Sequence, residues 1–183
     1  MAELLTYDIG AHRMLWTPNG GTEVDLGFTE DGSEISIEKE YEDVEVHELG
    51  APVDSYEKKV KVEATAKLAQ ATLQNLSRAL DALLTTVTGP PAKVSIDVNP
   101  KAGTKATFGK LVFRPRELTS ADKSRDKTIW RAAVKAGTKL PMKATTKRVA
   151  DFKVAGLADQ DVTTGKWRIF TEGDPTTAVL FEV

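Results

Sequence analysis

The sequence predicts a mainly β (α+β) fold, an antiparallel β-sandwich or rolled barrel with one packed α-helix and one long hairpin. Three observations predict it. Segments of strand length in which apolar and polar residues alternate recur along the whole chain, while only one segment has the three-and-four spacing of an amphipathic helix. A hydrophobic content of 40% in 183 residues is enough for one core, so residues 1–183 read as a single domain, with 1–11 as an N-terminal arm.

The elements follow in order. His12–Thr17 and Glu23–Thr29 flank Pro18-Asn19-Gly20-Gly21, a hairpin signal because Asn-Gly readily takes the positive φ angles of a tight turn. Thr29-Glu30-Asp31-Gly32-Ser33-Glu34 reads as a turn, since it lacks the alternating oxygen ligands and distal Glu of a calcium loop. In Ser33–Tyr41, Ile35, Ile37 and Tyr41 alternate with Glu34, Ser36, Glu38 and Glu40; in Tyr56–Leu68, Val60, Val62, Ala64, Ala66 and Leu68 alternate with Lys59, Lys61, Glu63, Thr65 and Lys67. Paired antiparallel, these two strands set a Glu row beside a Lys row. Beyond Tyr41 the phase slips, since Val44 and Val46 fall on the polar parity, so a bulge or loop is expected near Glu42–Asp43. Residues 42–57, with Gly50 and Pro52, are predicted to form a projecting acidic loop at the hairpin tip.

The spacing of Leu73, Leu76, Leu80, Leu83 and Leu84 predicts a helix over 72–87, with Thr72 as N-cap and Gly89-Pro90-Pro91 as the stop. Strand character returns in Lys93–Val98, Lys105–Phe113, Thr128–Ala136, Arg148–Ala155, Lys166–Thr171 and Thr177–Val183, with polar connections at Ser120–Asp126 and Ala136–Thr146.

Charge is distributed unevenly. From Thr22 to Glu57 there are thirteen acids and one base, Lys39, whereas Lys58 to Val183 carries 12 acids and 23 bases. An acidic segment and a basic remainder suit each other across copies of one molecule. The chain has no Cys, which excludes disulfides, thiolate metal sites and a Cys nucleophile. Neither a signal peptide nor an apolar membrane span is evident, so synthesis and assembly in a cytoplasm are expected.

The two histidines, His12 and His47, fit no Ser-His-Asp or paired-His metal spacing. Gly103–Lys110 departs from a phosphate loop in its glycine spacing and in Leu111, which stands where Ser or Thr is needed. Carboxylate pairs for glycoside chemistry can be drawn at will from the acidic run, which makes each choice uninformative. The expectation is a non-enzyme with no catalytic residue, cofactor or metal site.

A binding module is the alternative. Lys123–Arg148 holds nine bases and Trp130, a composition that suits nucleic acid, where bases displace counterions and an aromatic stacks. The alternation of Trp130, Ala132, Val134 and Ala136 against Arg131 and Lys135 instead turns the Trp to the core and the bases to the outside of a strand. Carbohydrate binding would need exposed aromatics, and Trp16, Trp130 and Trp167 all lie in strand patterns that can bury them.

Over most of its length the chain resembles the tail tube (major tail) proteins of tailed bacteriophages. The residues that carry this are Gly27-Phe28-Thr29-Glu30-Asp31-Gly32-Ser33-Glu34-Ile35-Ser36-Ile37 with its acidic run, Ala51-Pro52-Val53-Asp54, the Lys-rich strand, Thr72-Leu73-Gln74-Asn75-Leu76, and Asp151-Phe152-Lys153-Val154-Ala155-Gly156-Leu157-Ala158-Asp159. The resemblance implies a structural virion protein, assembled in the bacterial cytoplasm and located in the phage tail. It would form hexameric rings stacked head to tail, whose long hairpins join an inner barrel through which DNA passes without specific binding. Tape measure, tail terminator and baseplate or tail-tip proteins would be partners. On this view Glu34, Ser36, Glu38, Lys59, Lys61 and Glu63 line the lumen. Contacts between subunits and rings would fall to Glu42, Asp43, Glu45, His47, Glu48 and Asp54 on the acidic side, and to Lys139, Lys143, Lys147 and Arg148 on the basic side.

Overall fold

A computed structural model describes residues 12–46, 51–69, 72–88, 93–98, 106–135, 150–162 and 164–174. The N-terminal arm, the segment Thr177–Val183 and the whole of the 136–149 connection lie outside the described residues. The elements in chain order are β1 (His12–Pro18), β2 (Val24–Val46), β3 (Ala51–Leu68), α1 (Leu73–Ala79), β4 (Leu83–Val87), β5 (Lys93–Asp97), β6 (Phe108–Pro115), β7 (Lys127–Val134), β8 (Ala150–Leu157), β9 (Asp159–Gln160), β10 (Trp167–Arg168) and β11 (Phe170–Glu172).

The main sheet is antiparallel throughout, in the order β11-β7-β6-β1-β2-β3-β8, and a further β7–β8 pairing joins its ends. The mainly β fold is therefore a closed six-stranded barrel, β1-β2-β3-β8-β7-β6, with β11 added beside β7. Period-two alternation makes closure possible, because each strand offers one apolar row to the interior. Met14 and Trp16, Leu26, Val62, Ala64, Ala66 and Leu68, Leu111 and Phe113, Ile129 and Val134, and Ala150, Phe152 and Val154 supply those rows and are buried. Small residues oppose large ones: Ala66 faces Phe152 in the β3–β8 register, and Trp16 meets the Phe152 ring edge-on at 5.8 Å and 73°. Gly109 belongs to this closure, since a Cβ there would lie 2.3 Å from the Thr17 carbonyl oxygen.

The β1–β2 turn is closed by the Gly21 N–H donating to the Pro18 carbonyl at 2.9 Å. Of the Asn-Gly pair only Gly20 takes positive φ, at 71°. The expected turn at Thr29–Glu34 is instead a β-bulge inside an unbroken β2: the register shifts between Glu30 and Ser33, and Gly32 takes φ 85°.

The helix is shorter than predicted. Thr72 does cap it, its Oγ1 accepting from the Asn75 N–H at 3.1 Å, but α1 ends at Ala79. The Ala82 N–H donates to the Ser77 carbonyl at 2.8 Å and the Asp81 N–H to the Arg78 carbonyl at 3.3 Å, the two hydrogen bonds of a Schellman stop, with Asp81 at φ 50° where Gly is usual. The Asp81 carboxylate also accepts the Thr107 hydroxyl and its N–H, which fixes it there. Leu83–Val87 is then strand β4, paired with β5, as suits the β-branched run Thr85-Thr86-Val87. Leu76 and Ala79 enter the barrel core, and the Asn75 amide donates to the Leu26 carbonyl at 3.1 Å.

Smaller differences follow from local chemistry. Lys105–Phe113 begins as a strand only at Phe108, and Lys166–Thr171 divides into β10 and β11 around Ile169. The 116–126 connection folds onto the barrel wall because Arg114, on the outward parity of β6, forks onto Asp126 (Nε–Oδ1 2.8 Å, Nη2–Oδ2 2.5 Å) and donates to the Ser120 carbonyl. Both charges are buried, and Asp126 holds the Arg114 guanidinium more firmly protonated. Among the described residues no helix is long and apolar enough to cross a membrane.

Candidate functional site

The acidic segment 42–57 is not a loop. β2 runs to Val46 and β3 begins at Ala51, so most of it is the outer part of a two-stranded ribbon that continues the barrel strands. β2 pairs with β1 only through Phe28, and β3 pairs with β8 only from Val62 onward. Beyond those points each strand has only the other as a described partner, which leaves the outer edges of Ser33–Val46 and Ala51–Lys61 without ladder partners among the described residues.

Register decides what each face carries. Glu34 opposes Thr65, Ser36 opposes Glu63, Glu38 opposes Lys61 and Glu40 opposes Lys59, so the six residues assigned to a lumen do share one face. The lysines on it are engaged: Lys61 lies 3.7 Å from Glu38 and 3.3 Å from Glu63, and Lys59 lies 3.8 Å from Glu40. Hydrogen bonding to Glu63, then attraction to Glu38, raises the Lys61 ammonium above its ordinary value of 10.5. The opposite face carries Ile35, Ile37, Lys39 and Tyr41, and Lys39 reaches Glu57 at 2.7 Å, a hydrogen bond that raises its pKa too.

The expected break near Glu42–Asp43 is resolved into two bulges. Between Glu40 and Tyr41 the partner on β3 jumps from Lys59 to Glu57, leaving Lys58 as the extra residue; between Val44 and Glu45 the extra residue is Val53. Lys58 turns to Glu42 at 3.1 Å. The first bulge also inverts β3, so that Tyr56 opposes Glu42 on the charged side while Tyr41 opposes Glu57 on the other.

Of the residues assigned to subunit contacts, Glu42, Asp43 and Asp54 are exposed on this ribbon, and Glu45 opposes Pro52 near its end. His47, Glu48, Lys139, Lys143, Lys147 and Arg148 lie outside the described residues. The residues missed by sequence reasoning are apolar. Ile37 (48% exposed), Tyr41, Val44, Val53 and Tyr56 (61%) all stand in water. The alternation of Ile37 and Tyr41 is visible in the sequence, but nothing in such a pattern reveals that no second layer of described residues stands behind it.

Only part of the basic stretch lies among the described residues. Its described bases extend from Lys123 in the 116–126 connection along β7 to Lys135; Arg125 lies 3.7 Å from Glu117 and Lys127 3.8 Å from Glu172. Trp130 is only half-buried, because the β6–β7 register shifts between Gly109 and Leu111 and carries it out of phase with Ala132 and Val134. Its Nε1 donates to the Thr171 hydroxyl at 2.8 Å, and the Arg168 guanidinium lies 3.5 Å over the ring. Of the other tryptophans, Trp16 is buried but Trp167 is 68% exposed, against the expectation that the strand pattern buries it.

At the end of the barrel where β2 begins, an open cleft of about 490 Å³ lies between the Pro18–Gly21 turn, Phe108, Lys110, Trp130, Arg131 and Asp159. A second, of about 460 Å³, lies beside the Gly32 bulge between Glu30, Glu34, Lys67, Asp151 and Lys153. Among the described residues no three His, Asp or Glu side chains converge as metal ligands. Compared with known proteins, the chain matches no family model and no curated protein.

Proposed function

We propose that this protein is a self-assembling structural subunit whose β2–β3 ribbons join edge to edge to line a tube, as in the tail tubes of tailed bacteriophages. The ribbon carries this reading. A two-stranded ribbon with both edges open is marginal in water and is a template for further strands. Here it also exposes five large apolar side chains, which burial against other copies would remove from solvent. Edge-to-edge joining of identical ribbons, β2 of one copy to β3 of the next, is head-to-tail around a ring and places the charged faces together on one wall.

That wall suits passage of DNA rather than binding. Glu34, Glu38, Glu40 and Glu63 against Lys59 and Lys61 give four acids and two bases, a net of −2, and both lysines already pair with carboxylates. Phosphates would find repulsion and no free cation. Stacked rings, the phage tail as location, and tape measure, terminator and tail-tip partners belong to the same proposal. The test is negative-stain microscopy with sedimentation of concentrated protein. Rings or striated tubes are expected; a monomer at every concentration and salt, or salt-sensitive DNA binding by that monomer, overturns it.

A further inference from the structure

We infer that the cleft at the base of the barrel, built on Lys110, Arg131 and the Pro18–Gly21 turn, is the receptor for the acidic end of another copy's ribbon, so that it joins successive rings. The inference rests on the assembly reading above and adds to it the surface that stacking uses. Lys110 and Arg131 are half-buried, and neither is within ion-pairing distance of a described carboxylate. Arg131 lies 4.6 Å over the Phe108 ring, and its Nε is buried without an acceptor in the protein. A buried guanidinium donor without an acceptor carries a desolvation cost that an incoming carboxylate would offset. Asp159, the acid at the rim, is already 3.9 Å from Arg168 and does not neutralise them.

The ribbon presents the complement. Glu42 and Glu57 are taken up by Lys58 and Lys39, whereas Asp43 and Asp54, both exposed, have no base as partner among the described residues. In register Asp43 lies on the Tyr41 face and Asp54 on the charged face, so the ribbon end is acidic on both sides.

Strand β2 fixes the relation of the two surfaces. It starts at Val24, just after the cleft turn, and ends at Val46, beside the acidic end. At about 3.3 Å per residue, 23 residues separate them by roughly 70 Å before twist and bulges are allowed for. Complementary groups at opposite ends of one strand cannot meet within a molecule, and they are placed for end-to-end addition.

Charge exchange tests this. Lys110→Glu with Arg131→Glu should require an about tenfold or greater concentration for tube growth, while rings still form. Asp43→Lys with Asp54→Lys should do the same. Mixed, the two variants should copolymerise, because each then offers the end that the other's cleft accepts. Thermal melts verify folding, and Lys110→Glu alone, which leaves the Arg131–Phe108 stack intact, should give a smaller delay of the same kind. Tubes from the cleft variant at the wild-type concentration, or no rescue on mixing, would overturn the receptor and leave the ring reading intact. A wild-type protein that forms neither rings nor tubes would remove both.

Discussion

The barrel and the ribbon are made from the same two strands, and they differ in almost every physical respect. Below Val62, β3 has β2 on one side and β8 on the other, and its alternate residues Val62, Ala64, Ala66 and Leu68 are buried in a closed sheet. Above it the alternation continues only to Val60, the two bulges carry Tyr56 and Val53 out of phase, β3 has no second neighbour among the described residues, and large apolar groups stand in water. Hydrophobic alternation therefore specifies a strand; whether its apolar face is satisfied within the molecule depends on what closes around it. In the barrel the chain supplies the cover itself. In the ribbon it supplies mainly charge pairs, which set register but contribute little to holding strands together in water.

The largest effect should separate the two regions most clearly. Phe152→Ala is expected to cost about 3–5 kcal/mol in denaturant unfolding, whereas Tyr56→Ala should stay within about 0.5 kcal/mol and act on assembly instead. Equal losses would mean that the ribbon is packed in the single molecule, and the contrast would fail.

Next comes the clamp on the barrel wall. Asp126→Ala leaves the buried Arg114 guanidinium uncompensated and should lower stability by about 3 kcal/mol in a thermal melt. Adding Arg114→Leu should recover much of that loss, since no buried charge then remains without its partner.

The smallest effect belongs to the ribbon ladder. Lys39 is raised above 10.5 by Glu57, so its contribution is complete below that pH and is lost as the pH climbs through the raised value. In a methyl spectrum the Ile37 resonance should move over that alkaline window while Ile129, inside the barrel, stays fixed. A matching movement of Ile129 would show that the ladder is coupled to the core.

Much of this was legible in the sequence. The Glu and Lys rows lie side by side as expected, because alternation at Glu34–Glu40 and Lys59–Lys67 excludes any pairing of the wrong parity, which would put Ile35 and Val62 on opposite faces. Three features were not. The helix stop was hidden because Asp81 occupies a position where Gly is the usual signal, held by Thr107, which is distant in sequence. Gly50 and Pro52 are breakers and signal a loop in the sequence, yet β3 begins at Ala51 and Pro52 opposes Glu45 near the ribbon end, where a breaker does no harm. The cleft was invisible because Phe108, Lys110 and Arg131 come together only through the β6–β7 bulge.

Lys58 has a consequence of a different kind. One surplus residue on one strand sharpens the coil of a ribbon, and a coil repeats in every ribbon laid alongside. If copies close into a circle, the turn from one to the next sets how many fit, so the bore of the resulting pipe is written partly in a single inserted amino acid. Deleting Lys58 would then change the circumference before it changed the strength of any contact.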